Sequence, residues 1–217
     1  MHNLYVWDLH GTIEKGNENA VIEISNQALQ ECGYDQRFTE DAAHRLYGLK
    51  WYQYFEDIMP NMSHDDHLKL QHRCFQISDE RPELLARYMK PTPHVEEVLG
   101  AIQNSPHEQI LISNTIPTTI PLFLNALGLA SFFDNDHRFS VNAHSKEVAR
   151  KKEHVLEEYL FGKKFKNIYV IGDSGTDIAM AKHVGATSIL FTHPDFPTRQ
   201  LEADLRTTDL RTIIKTL

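Results

Sequence analysis

The sequence predicts an α/β fold in which a parallel sheet is covered by helices on both faces and is interrupted by an all-helical insertion. Three observations carry this expectation. Four short apolar runs recur along the chain, helical patterns lie between them, and residues 20 to 90 hold helical patterns with almost no strand-like run. Continuous apolar runs, as opposed to alternating ones, mark strands buried on both faces, and such strands belong to parallel sheets.

Taken in order, Leu4-Tyr5-Val6-Trp7 is the first run; it ends at Asp8, and the turn signal Gly11-Thr12 follows. Val21, Ile24, Ala28 and Cys32 then share one helical face, which Gly33 can stop. Ser63, with Asp66 three residues on, is a capping pair that opens a helix through Leu68 to Phe75. Pro91-Thr92-Pro93 cannot continue a helix and returns the chain to alternation. Val95, Val98, Leu99 and Ile102 form the next helical face, followed by the run Gln109-Ile110-Leu111-Ile112 before Ser113. Ile168-Tyr169-Val170-Ile171 precedes Gly172-Asp173, a helical pattern runs from Ile178 to Gly185, and Thr187 to Phe191 is the last run. The expected organisation is a Rossmann-like core of residues 1–18 and 91–217 with a helical piece over residues 19–90.

Composition narrows the function classes. The 217 residues are 41% hydrophobic and 24% charged, enough for one sizeable core with an accessory piece. A net charge of −8 gives no support to nucleic acid as a partner, since that needs a surplus of Lys and Arg on one face. No apolar stretch approaches the roughly 20 residues of a membrane-spanning helix. Cys32 and Cys74 form no ligand pair or disulfide framework, and Met1-His2-Asn3 leads directly into a strand. A cytoplasmic protein is the expectation; nothing in the sequence specifies its oligomeric state.

The chemistry-bearing residues stand at strand ends. Open α/β sheets bind ligands outside the carboxyl ends of their strands, where Asp8 and Asp173 fall. Asp8, Asp173 and Asp177 together are hard oxygen donors of the kind Mg2+ prefers, and a cation would leave one carboxylate to attack a polarised phosphoryl group. Acids also favour helix N-termini, which is the plainer account of Asp173 and Asp177.

With these motifs in place, the chain resembles the haloacid-dehalogenase-like superfamily, four motifs of which occur in order over nearly the whole sequence. Asp8, His10 and Thr12 match the first, D-x-D-x-T; Ser113 matches the second; Gly172, Asp173 and Asp177 match the fourth, G-D-x-x-x-D. The resemblance implies an aspartyl-phosphate intermediate on Asp8, a phosphate oxygen held by Ser113, and Mg2+ held by Asp8, Asp173, Asp177 and the backbone carbonyl of His10. Gly11, Thr12 and Asn114 are the accompanying phosphate-binding candidates. The third motif is a lysine, open among Lys146, Lys151 and Lys152; Val155 and Leu156 favour Lys152, with Lys151 next. The helical insertion resembles the cap that such enzymes close over a small phosphorylated metabolite, excluding water.

One position departs. His10 stands where phosphatases of the superfamily carry a second Asp that protonates the leaving group and activates water. Histidine suits both proton transfers near neutrality. The alternatives are a slow or lapsed relative that binds a phosphorylated metabolite or a protein, and a phosphonatase or phosphotransferase on the same scaffold. A phosphonatase needs an imine-forming lysine from among Lys15, Lys50, Lys69 and Lys90. Within the insertion, Trp51, Tyr52, Tyr54 and Phe55 are pocket candidates for which core packing is the plainer role, and Arg45 and Lys50 are candidate anion contacts. His64, His67 and His72 show no metal partner set in the sequence.

Overall fold

The structure, a computed structural model, describes residues 2–46, 49–141, 150–194 and 200–217. The chain enters through β1 (Leu4–Trp7) and the short β2 (Glu14–Lys15). It then runs through five helices, α1 (Asn17–Glu31), α2 (Glu40–Arg45), α3 (Trp51–Ile58), α4 (His64–Glu80) and α5 (Glu83–Tyr88), before β3 (Lys90–Pro91). Next come α6 (Val95–Gln103), β4 (Glu108–Ser113), α7 (Ile120–Ala126), β5 (Arg138–Ser140) and α8 (Lys152–Leu160). Finally β6 (Ile168–Gly172), α9 (Gly175–Val184), β7 (Thr187–Phe191) and β8 (Leu205–Thr207) complete the order. No helix among the described residues is long and apolar enough to cross a membrane.

The chain divides into two compact units, Met1–Lys15 with Lys90–Leu217, and Gly16–Met89. The first is built on a six-stranded sheet of order β5-β4-β1-β6-β7-β8, with every pairing parallel. Counted along the chain within the sheet, this is third, second, first, fourth, fifth, sixth. That is the doubly wound Rossmann-like order, whose ligand crevice lies where the strand sequence reverses. Here the reversal falls at β1 and β6, where Trp7 lies opposite Ile171, with Leu111 on the other side of Trp7.

The four strands expected from apolar runs are these central ones. All four residues of β1 are fully buried. Leu4 and Val6 pack with Ile110, Val155, Leu156 and Met180 in one cluster, whereas Tyr5 stacks on Tyr169 and bonds Thr216 through its hydroxyl. A strand covered on both faces has no polar side to alternate, which is why its sequence reads as an unbroken run. The edge strands β5 (Arg-Phe-Ser) and β8 (Leu-Arg-Thr) are short and partly solvated and send no such signal.

The ribbon of β2 and β3 pairs Glu14 with Pro91 and Lys15 with Lys90. Proline is tolerated there because a two-stranded ribbon leaves its nitrogen off the ladder.

The second unit, considered by itself, is helical. Ile24, Ala28 and Leu29 of α1 pack with Phe55 of α3, Leu70, Cys74 and Ile77 of α4, and Leu84 of α5. Ser63 caps α4 as expected, its hydroxyl accepting from the Asp66 N–H at 3.2 Å. Tyr54 and Phe55 belong to this core, and Trp51 packs against it with its ring edge-on to Phe75. Arg45 forms a two-pronged pair with Asp57. Gly16 opens the unit at φ 100°, and a Cβ there would lie 2.1 Å from the Tyr88 carbonyl oxygen, so only glycine fits.

Candidate active site

Asp8 is the first residue beyond β1, and its N–H still donates to the Ile171 carbonyl at 3.0 Å. The chain then wraps around the Leu9 carbonyl, which accepts from the N–H groups of Ile13 and Glu14 at 3.1 and 3.2 Å, with Gly11 at φ 78° in the turn. This wrap fixes the Asp8 carboxyl at the crevice end of β1. Asp173 follows β6 directly, and Ser113 ends β4, so three adjacent strands deliver their terminal side chains to one edge.

Lys152 joins them from α8. It occupies the first helical position, is 3% exposed, and its Nζ donates to Asp8 Oδ1 at 2.5 Å and to Asp177 Oδ1 at 2.7 Å. The other Asp177 oxygen, Oδ2, accepts from the Ser174 N–H at 3.1 Å and the Ser174 hydroxyl at 2.6 Å. Asp177 therefore does two jobs: it caps α9 and it is a counterion to Lys152.

This packing explains Gly172. A Cβ at that position would stand 2.2 Å from Asp177 Cγ. Gly172→Ala is therefore expected to push Asp177 out of place and to cost about 1–3 kcal/mol, the usual range for overpacking. Urea denaturation against wild type measures it.

Carboxylate oxygens of Asp8, Asp173 and Asp177 lie within 4.8 Å of one another. Lys152 is shared between two of these acids, Asp8 and Asp177. The stress falls on Asp8: burial pushes its carboxyl up to about 7, with Lys152 opposing and Asp177 and Asp173 adding to the rise. For Lys152, burial works against the ammonium, but Asp177 and Asp8 outweigh it and hold its pKa above the ordinary lysine value. The donor set is three clustered carboxylates, all oxygen and buried or half-buried, and a divalent hard cation such as Mg2+ fits it.

The His10 side chain is engaged. Its Nδ1 lies 2.8 Å from Glu14 Oε1, Glu14 is fully buried, and the His10 ring stands edge-on to Phe123 at 5.5 Å. Burial lowers the His10 pKa, yet the Glu14 hydrogen bond and charge, with Asp8 adding, leave it raised overall. Glu14 was not foreseen in the sequence. Its spacing from His10 has meaning only once the wrap around Leu9 brings the two into a bridge.

Of the remaining candidates, Ser113 is fully buried and its hydroxyl accepts from the Thr115 N–H at 3.3 Å. Thr12 is also fully buried, and its hydroxyl has no hydrogen-bond partner. Asn114 is exposed. Lys151 is exposed at the N-cap of α8, 3.8 Å from Glu153, and is not among the groups gathered around Asp8. Lys146 lies outside the described residues.

The family model of haloacid dehalogenase-like hydrolases matches residues 2–185. Among solved structures, one described as a predicted phosphatase from Clostridium acetobutylicum superposes with a TM-score of 0.74 at 16% identity, covering 100% of this chain and 98% of its own. One described as a predicted phosphoglycolate phosphatase from Haemophilus somnus gives 0.73 at 19% identity, with coverage of 99% and 97%. A haloacid dehalogenase-like family protein from Streptococcus pneumoniae gives 0.71 at 14%, with coverage of 99% and 98%. No curated protein matches the chain. At these identities the structural likeness speaks for the fold alone, while the family model spans most of the sequence: the chain belongs to the haloacid dehalogenase-like hydrolase family.

Proposed function

We propose that this protein is a Mg2+-dependent phosphatase of small phosphomonoesters that works through a covalent phosphate on Asp8. The observation that carries the reading is the arrangement at the sheet's reversal point: Asp8 held by the buried Lys152, with Asp173 and Asp177 alongside. Two of the structural neighbours are described as predicted phosphatases, which agrees with this choice of substrate class.

Asp8, Asp173, Asp177 and the His10 backbone carbonyl would hold the ion. When bound, Mg2+ would neutralise the acids and polarise a phosphoryl oxygen. The chain's own groups do the rest. An Asp8 carboxylate oxygen attacks phosphorus, the ester P–O bond breaks, and the alcohol leaves with a proton from the His10 imidazolium. Neutral His10 then takes a proton from water, which attacks phosphorus, breaks the acyl P–O bond, and yields inorganic phosphate and free Asp8. Lys152 and Ser113 hold phosphoryl oxygens in both steps, with Gly11, Thr12 and Asn114 beside them. Glu14 keeps His10 in the tautomer with Nδ1 protonated, so Nε2 is the nitrogen that exchanges protons. This pair answers the departure at His10: an acid-base group with a dedicated buried partner supports an adapted enzyme over a lapsed one.

A panel of phosphomonoesters tests the reading. Turnover is expected with Mg2+ and is expected to vanish with EDTA. His10→Ala should lower kcat by on the order of 10²-fold or more, and Glu14→Gln should lower kcat in the same direction with little change in KM. Absence of wild-type turnover together with a gain in His10→Asp would point instead to a lapsed enzyme.

A further inference from the structure

The helical unit carries a second cluster of ligating side chains. Glu56 comes from α3 and His64 and His67 from the first turn of α4, and one ligand atom of each lies within 4.8 Å of the others. Along the sequence the histidines have no partner set. The structure supplies one, because Glu56, eight residues before His64, is brought back by the packing of α3 against α4.

His67 is the informative member. It is 2% exposed, and its Nε2 lies 3.0 Å from the Met59 carbonyl oxygen. A carbonyl only accepts, so Nε2 bears the proton and Nδ1 is left with a lone pair. That Nδ1 is buried and has no hydrogen-bond partner. An imidazole anchored through one N–H to a backbone carbonyl, with its other nitrogen unpartnered, has the arrangement in which histidine binds metal.

The other two members are adaptable. His64 and Glu56 side chains are 59% and 43% exposed, and His64 Nδ1 lies 3.3 Å from Glu56 Oε1. Tetrahedral bonds of about 2.0–2.2 Å place ligand atoms roughly 3.3 Å apart, a contraction from within 4.8 Å that exposed His64 and half-buried Glu56 have room to make. Two imidazoles and one carboxylate suit a borderline ion, in contrast to the all-oxygen set around Asp8.

We propose that Glu56, His64 and His67 bind a divalent transition ion of the zinc class, with water completing the coordination. The ion joins α3 to the start of α4 and strengthens the His67 N–H bond to the end of α3. It is a separate site from the one at Asp8 and does not depend on the proposed phosphatase activity.

The test uses the full chain, stripped with chelator and returned to buffer containing Mg2+, then titrated with ZnCl2 by calorimetry and with CoCl2 by visible absorption. Wild type is expected to take up one Zn2+ with micromolar affinity or tighter. His64→Ala and Glu56→Gln alter exposed side chains and should fold, which circular dichroism checks; each should weaken binding by about tenfold or more. Asp173→Asn should leave it unchanged. No Zn2+ uptake by wild type, unchanged affinity in either His64→Ala or Glu56→Gln, or loss in Asp173→Asn overturns the proposal.

Discussion

Asp8→Asn is expected to lower phosphatase turnover by on the order of 10⁴-fold or more while leaving the fold intact. The amide has no free carboxylate to form a bond to phosphorus, and Asp177 is already committed. Asp177 has one oxygen on Lys152 and the other on Ser174. Lys152 keeps Asp177 as its partner, so no buried cation is left unpaired. The same variant has a stability signature in metal-free protein. The Asp8 carboxyl rises from 3.8 to about 7 on folding, so the folded state binds the proton more tightly than the unfolded chain does. Its contribution is fully present below the unfolded value and is lost as pH climbs through the folded one. Wild type in EDTA should therefore lose stability between about pH 4 and 7 relative to Asp8→Asn, which lacks this group. Paired urea titrations across that range measure the difference.

Lys152→Met carries the second large effect, and it reaches both activity and folding. The ammonium is buried between two carboxylates, and its removal leaves Asp8 and Asp177 facing each other without the cation they share. Breaking a buried pair by deleting one partner costs about 3–5 kcal/mol. Denaturation in EDTA should show a loss of that size, and Mg2+ should restore part of it, about 2.7 kcal/mol at a hundredfold excess over its Kd. Turnover should fall even with Mg2+, because the proposed mechanism also has Lys152 hold the phosphoryl group. Lys151→Met is the control: the side chain is exposed, and its loss should change stability by no more than about 0.5 kcal/mol.

How much of this was legible in the sequence depended on burial and on locality. The strands β1, β4, β6 and β7 were legible because burial on both faces leaves only apolar residues. The edge strands β5 and β8 were not, because three half-solvated residues carry no period. Asp8 and Asp173 could be found from their places after strands, and Asp177 from its spacing to Asp173. The choice among lysines was harder. Lys151 and Lys152 are neighbours in the sequence, and only the direction of α8 sends one to the carboxylates and the other to solvent. The His10–Glu14 pair and the Glu56 cluster were invisible for the same physical reason. Each forms by a fold-back, around the Leu9 carbonyl in one case and across the α3–α4 turn in the other, that residue spacing does not encode.

The most direct test of the central claim, that Asp8 becomes covalently phosphorylated, is chemical trapping. The enzyme is quenched with acid during turnover of a phosphomonoester, reduced with borohydride and digested, and the peptide containing position 8 is examined by mass spectrometry. Reduction of an aspartyl phosphate converts that residue to homoserine. Homoserine is expected at position 8 when substrate and Mg2+ are both present, and none with EDTA or in Asp8→Asn. Steady turnover with Asp8 unmodified, or with the label on another residue, would contradict it.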